Sequence, residues 1–148
     1  MAKNKEYWSW VEAAVNVIGG KGKLLIVLVL RDGKLRYSEI IKKLPSISDK
    51  MLVKQLRELE RDGIITRKVY PVVPPKVEYS LTEAGEKLVV VLKILGFWGI
   101  RYLDDKVVGE GLSREKVHDP VKLRLLLEDI QKIRNDIEKQ LEDQDQPL

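Results

Sequence analysis

Between Ser46 and Tyr79 the chain reads SISDKMLVKQLRELERDGIITRKVYPVVPPKVEY, and two interleaved periodicities run through its first half. Leu52, Leu56 and Leu59 recur at i, i+4 and i+7, while Lys50, Lys54, Arg57 and Arg61 recur at i, i+4, i+7 and i+11. At about 100° per residue the two sets fall almost diametrically opposite each other on one helix. One side is suited to burial and the other to meeting negative charge. Ser48 is placed to cap this helix, Asp49 sits in its first turn, and Asp62-Gly63 ends it where positive φ is needed. Two extended runs follow, 64–69 and 76–81, the second alternating Val77, Tyr79 and Leu81 with Glu78 and Ser80. Between them lies Tyr70-Pro71-Val72-Val73-Pro74-Pro75. Its prolines cannot donate to a ladder, which predicts a stiff hairpin tip with Lys68 and Lys76 at its base.

Upstream, the segment 7–18 predicts a helix with Trp8, Val11, Val15 and Ile18 on one stripe and Trp10, Ala14 and Val17 on the next. Gly19-Gly20-Lys21-Gly22 ends it. The aliphatic run 23–30 is too short for its period to separate a buried strand from a buried helix; helix is preferred because the downstream pattern needs three helices before the hairpin. Asp32-Gly33 turns the chain, Leu35-Arg36-Tyr37 offers a short third strand, and Ser38 is placed to cap a helix through Glu39, Ile40, Ile41 and Leu44. Pro45 forces a turn in which Ile47 is the buried residue. After the hairpin, Thr82 caps a helix that is apolar around most of its circumference, with Leu88, Leu92, Leu95 and Trp98 on one face and Val91 close by. Such a helix calls for a subunit interface, formed with the two-sided N-terminal helix through Trp8, Val11, Val15, Leu88, Val91, Leu92, Leu95 and Trp98. Haem or lipid binding is the sharper reading of these aromatics, packing the commoner one.

The expected fold class is therefore mainly α with a small antiparallel β wing (α+β): a winged helix-turn-helix with extra N- and C-terminal dimerisation helices. Residues 1–102 form one expected domain, carrying the winged helix and the dimerisation helices, and 103–119 a polar linker. A helix over 120–142 is opened by Pro120 and seamed by Leu123, Leu126, Ile130, Ile133 and Ile137, and 143–148 is expected to fray.

Charge sharpens this picture. Of the net +4 of the 148 residues, residues 1–101 carry +8 and residues 102–148 carry −4, so the basic part coincides with the expected reading head. The chain has no cysteine, which excludes disulfides, thiolate metal sites and thiol redox sensing. One histidine, His118, rules out a multi-histidine metal centre within one chain, and beside Asp119 it reads as a surface residue at a helix entry. No cofactor and no catalytic residue is expected. The N-terminus lacks the apolar core of a signal peptide, and the runs 24–30 and 88–100 fall short of the roughly 20 residues a bilayer requires. A soluble, cytoplasmic protein without membrane contact is expected.

The series Arg36-Tyr37-Ser38-Glu39-Ile40, Leu44-Pro45-Ser46-Ile47-Ser48, Leu56-Arg57-Glu58-Leu59-Glu60-Arg61-Asp62-Gly63-Ile64, Tyr70-Pro71-Val72-Val73-Pro74-Pro75-Lys76-Val77-Glu78-Tyr79 and Leu81-Thr82-Glu83-Ala84-Gly85 resembles the HxlR-type winged-helix transcriptional regulators, within the MarR-like superfamily, over roughly 9–101. The resemblance implies a prokaryotic homodimer whose two heads enter adjacent major grooves of a pseudo-palindromic operator, with wings on backbone or minor groove. Many members carry a sensing cysteine where this chain has Ser9, which cannot form a thiolate. Gly22 stands where the family has tryptophan, and Asp49 where proline is common. If the head enters the major groove, Lys50, Met51, Lys54 and Gln55 are placed for base edges, whereas Ser38, Ser46, Ser48, Arg57, Lys68, Tyr70 and Lys76 suit phosphates. The competing reading is a winged-helix protein-docking module that binds no DNA; such a module can dispense with the basic stripe and wing that this chain keeps. The operator, the sign of regulation and any small-molecule effector are left open by the sequence.

Overall fold

The computed structural model describes residues 6–20, 22–103 and 120–144. The expected linker at 104–119, with His118, and the tail at 145–148 lie outside the described residues, as do Lys21 and the first five residues. Contacts divide the chain within its longest apolar helix into units Met1–Val89 and Val90–Leu148.

In the first unit, α1 (Trp10–Ile18) begins at Ser9, whose hydroxyl accepts the Glu12 backbone N–H at 3.1 Å. The helix thus starts later than the periodicity suggested, and Trp8 precedes the cap instead of lying on the helical stripe. The run at 23–30 is helical, as α2 (Lys23–Leu30). A two-residue strand β1 (Leu35–Arg36) leads directly into α3 (Tyr37–Lys43), and α4 (Asp49–Arg61) follows after a short turn. Ser38 does not cap α3. The helix starts two residues earlier, at Tyr37 with Arg36 at the cap position, and Glu39 accepts the Arg36 backbone N–H at 2.7 Å instead. Ser48 does cap α4, accepting the Met51 N–H at 3.3 Å.

The leucine stripe of α4 is the floor of the core. Leu52, Leu56 and Leu59 are buried with Ile26, Val27 and Leu30 of α2, Ile40 of α3, the turn residues Leu44 and Ile47, and Ile65 of the sheet. Fully burying one such side chain contributes about 1.5–3 kcal/mol. After α4, Gly63 takes φ +73, the left-handed conformation that lets the chain reverse into the sheet. Strands β2 (Ile65–Tyr70) and β3 (Lys76–Leu81) pair antiparallel with Ile65 opposite Leu81 and Tyr70 opposite Lys76, and β1 joins the far side of β3. The sheet order is β1-β3-β2. Thr82 closes the reversal: its hydroxyl donates to Gly63 O at 2.6 Å and accepts the Gly85 N–H at 3.1 Å, opening α5 (Glu83–Tyr102). This is a winged helix-turn-helix, mainly helical with one small antiparallel sheet.

In the second unit, Leu92 of α5 is buried while Val91, Ile94, Leu95, Phe97, Trp98 and Tyr102 are exposed. Helix α6 (Pro120–Gln144) runs two residues beyond the expected 142, and Asp129 on it accepts from Lys93 at 3.0 Å. Among the described residues, no single helix is long and apolar enough to cross a membrane.

Leu59→Ala removes a fully buried side chain from the inner face of α4 and is expected to cost about 2–5 kcal/mol in chemical denaturation. Lys54→Ala on the opposite face should stay within about 0.5 kcal/mol of the parent; equal losses would mean that the two faces are not distinct.

Candidate nucleic-acid interface

Because the leucines hold one face of α4 inward, Lys50, Met51, Lys54, Arg57 and Arg61 are all exposed on the other. Val53, at i+3 from Lys50, lies among them. The helix is aimed from its first turn: the Tyr37 hydroxyl donates to Asp49 Oδ1 at 2.6 Å, joining the first residue of α3 to the first of α4. That bond pushes the Tyr37 phenol up to about 12. It also gives the Asp49 carboxylate a partner within the helix pair. Ser38, Ser46 and Ser48 are exposed around this end of α4.

Gln55 does not belong to the exposed face. It is 4 % exposed and packs under the α1–α2 connection, where a Cβ on Gly22 would collide with its Oε1. The reason lies in its spacing: Gln55 is three residues after Leu52 and four before Leu59, so it belongs beside the leucine stripe. That same arithmetic was available in the sequence, but the polarity of the side chain obscured it.

On the wing, cationic side chains gather around one carboxylate. Glu78 is buried in β3 and pairs with Lys76 at 2.6 Å and Lys34 at 3.1 Å, while accepting the Tyr70 hydroxyl at 2.9 Å. Lys76, then Tyr70 and Lys34, hold its carboxyl down at about 2. The ammonium groups of Lys68 and Lys76 lie 5.1 and 4.8 Å from the Tyr70 ring centroid. Lys68 is exposed, but Lys76 and Tyr70 are half-buried and committed to Glu78. The Tyr70 hydroxyl is therefore spent inside the wing, a correction to its reading as a direct phosphate donor. Beyond it the tip residues Val72 and Val73 are exposed. Arg67 was not among the expected DNA contacts; with Val53, Leu56, Arg57, Glu60 and Tyr79 it lines a concavity beside α4 and the sheet. Its signal was hidden because β2 abandons strict alternation once it leaves the core, so Thr66, Arg67, Lys68 and Val69 are all exposed.

The HxlR-like helix-turn-helix family matches residues 17–107, more than half of the chain. The chain belongs to the HxlR family. It is 54 % identical over 97 residues to an HTH-type transcriptional regulator of Methanothermobacter thermautotrophicus, covering 66 % of this chain and 74 % of the relative. Over 111 residues it is 48 % identical to the HTH-type transcriptional regulator YtcD of Bacillus subtilis, covering 75 % and 87 %. The solved structure of the regulator ytcD aligns with TM-score 0.63 at 51 % identity, over 65 % of this chain and 98 % of that one. The redox regulator HypR in its reduced form aligns at 0.62 and 46 % identity, over 67 % and 100 %. This HxlR chain is accordingly a transcriptional regulator with a helix-turn-helix DNA-binding domain, and the family is one of regulators, not enzymes. The redox role named for HypR has no thiol to act through here, because the HxlR chain has no cysteine. Ser9 caps α1.

The Glu78 network gives a pH signature. A carboxyl held at about 2 against an ordinary 4.5 adds stability that is fully present above 4.5 and disappears as pH falls toward 2. Glu78→Gln is expected to lower the unfolding midpoint at pH 6–7 and to approach the parent's midpoint near pH 2; a constant offset across that range would refute the network.

Proposed function

We propose that the protein acts as a homodimer on a pseudo-palindromic operator, with α4 and its caps (48–62) in the major groove and the wing (64–81) on backbone or minor groove. The observation that carries this reading is the division of α4 into a buried leucine face and an exposed basic one. Within it Lys50, Met51 and Lys54 reach base edges: a lysine can bond guanine O6 and N7, and a methionine can touch a thymine methyl. Ser38, Ser46, Ser48, Arg57 and Lys68 hold phosphates and set register, with Arg67 added from the groove beside the wing. Lys76 reaches the backbone from a position fixed by Glu78, and Tyr70 orients the two wing lysines without contacting phosphate. Gln55 takes no part in base reading.

Dimerisation is supported by how little α1 buries within its own chain. None of its residues is buried, and Trp8, Trp10, Val11 and Val15 are exposed, Trp8 by 95 %. A self-complementary patch that meets its own copy satisfies such a surface with closed symmetry. Val91, Leu95 and Trp98 of α5 supply further exposed apolar area, Leu88 less because it is half-buried. Leu92 is withdrawn from the expected interface, since it is already buried in the single chain. Residues 1–102 then act as one DNA-binding and dimerisation domain, working in the cytoplasm beside the chromosome.

Binding to duplex should weaken with salt by a log–log slope of about 0.9 per phosphate neutralised. Lys54→Ala is expected to lose about 1–3 kcal/mol on a selected operator and to relax its sequence preference, while Lys68→Ala weakens all duplexes alike. Salt-insensitive binding, or none, would favour a protein-docking module. Val15→Asp should give a monomer in sedimentation with weakened operator binding; an intact dimer would remove α1 from the interface.

A further inference from the structure

Lys23, the first residue of α2, is 5 % exposed and is the only buried lysine among the described residues. Taking an ammonium out of water is costly unless its donors find partners. Here they reach two other helices. Lys23 Nζ donates to Val17 O at 2.8 Å, in the last turn of α1, where helix carbonyls lack partners of their own. The same nitrogen lies 3.0 Å from Glu58 Oε2 and 3.9 Å from Asp62 Oδ2, at the far end of α4. The Lys23 ammonium is also the main reason the Glu58 carboxyl sits below its ordinary range.

A second contact runs along the same side of α4. Gln55, Glu58 and Asp62 are spaced i, i+3 and i+7, a polar stripe flanking the leucines. Gln55 is pressed against Gly22, whose φ of +123 and missing Cβ allow the connection to come this close. The stripe thus meets, in order, the connection after α1 and the lysine that opens α2.

We propose that Lys23 is a positioning residue that locks the reading helix α4 to the end of α1, so that the separation of the two reading helices in a dimer is set through this buried cation. The proposal rests on the reading of α1 as a dimer helix and α4 as the DNA reader. A cation that bonds one helix end and two carboxylates of another resists sliding and rotation between them, whereas apolar contact alone tolerates small slips. Glu58 also lies 4.0 Å from Lys54. Lys23 approaches the same carboxylate from inside, so Glu58 lies between the buried cation and the exposed face.

The test uses the full chain and an operator selected by it from random duplex, remade with base pairs inserted or removed between the half-sites. The parent is expected to bind with a sharp optimum in half-site separation. Lys23→Met should bind the optimal duplex on the order of tenfold more weakly and show a flattened separation profile, while a single half-site is bound within about twofold of the parent. Lys23→Arg, which restores the charge, should recover the optimum. Glu58→Gln serves as an independent arm if Lys23→Met fails to fold, and it should flatten the profile in the same way. An unchanged optimum in Glu58→Gln or Lys23→Met, or an equal loss on single half-sites and every separation, overturns the proposal. A parent that is monomeric or indifferent to half-site separation would instead overturn the dimer reading, and the proposal with it.

Discussion

Burial of Leu52, Leu56 and Leu59 against α2, α3 and the sheet is the contact on which the other features depend. A helix fixed by one face has no freedom to choose what it shows with the other. The apolar stripe buries itself to escape water, and at about 100° per residue Lys50, Lys54 and Arg57 are then carried outward by the geometry of the helix itself. Long basic side chains cost conformational entropy when they are tethered. Leaving them exposed keeps them ready to exchange counterions for phosphates. The Tyr37–Asp49 bond adds direction at the helix start, and the Ser48 cap satisfies an N–H that would otherwise be open.

The wing solves a different problem. Lys34, Lys68 and Lys76 repel one another, and a two-stranded extension has little core to resist that repulsion. Glu78 supplies the missing negative charge from inside β3, and the Tyr70 ring receives two of the ammonium groups, those of Lys68 and Lys76. The result is a basic tongue whose cations are spaced by chemistry and not by chance. The same carboxylate reduces the positive charge the wing presents at its surface.

HypR, whose solved structure is similar to this chain, is a redox regulator, and this chain has no thiol through which to act in that way. Ser9 fixes the start of α1, and Lys23 and Gln55 carry its end onto α4.

Much of this was legible in the sequence because it is decided within one or two turns of chain. The leucine and lysine periods set α4 and its two faces, Ser48 and Asp62-Gly63 set its limits, and the prolines set the hairpin tip. The family resemblance added the order of elements. What the tertiary structure decided concerns groups whose partners are distant in the chain. Gln55 reads as a DNA donor until the α1–α2 connection covers it, and the Tyr70 hydroxyl reads as a phosphate contact until Glu78 claims it. Lys23 looked like part of an aliphatic run until two carboxylates of α4 proved to be its partners. Periodicity reports which side of an element is apolar, because that depends only on local geometry. It does not report which polar group will meet which other, because that depends on where the rest of the chain returns.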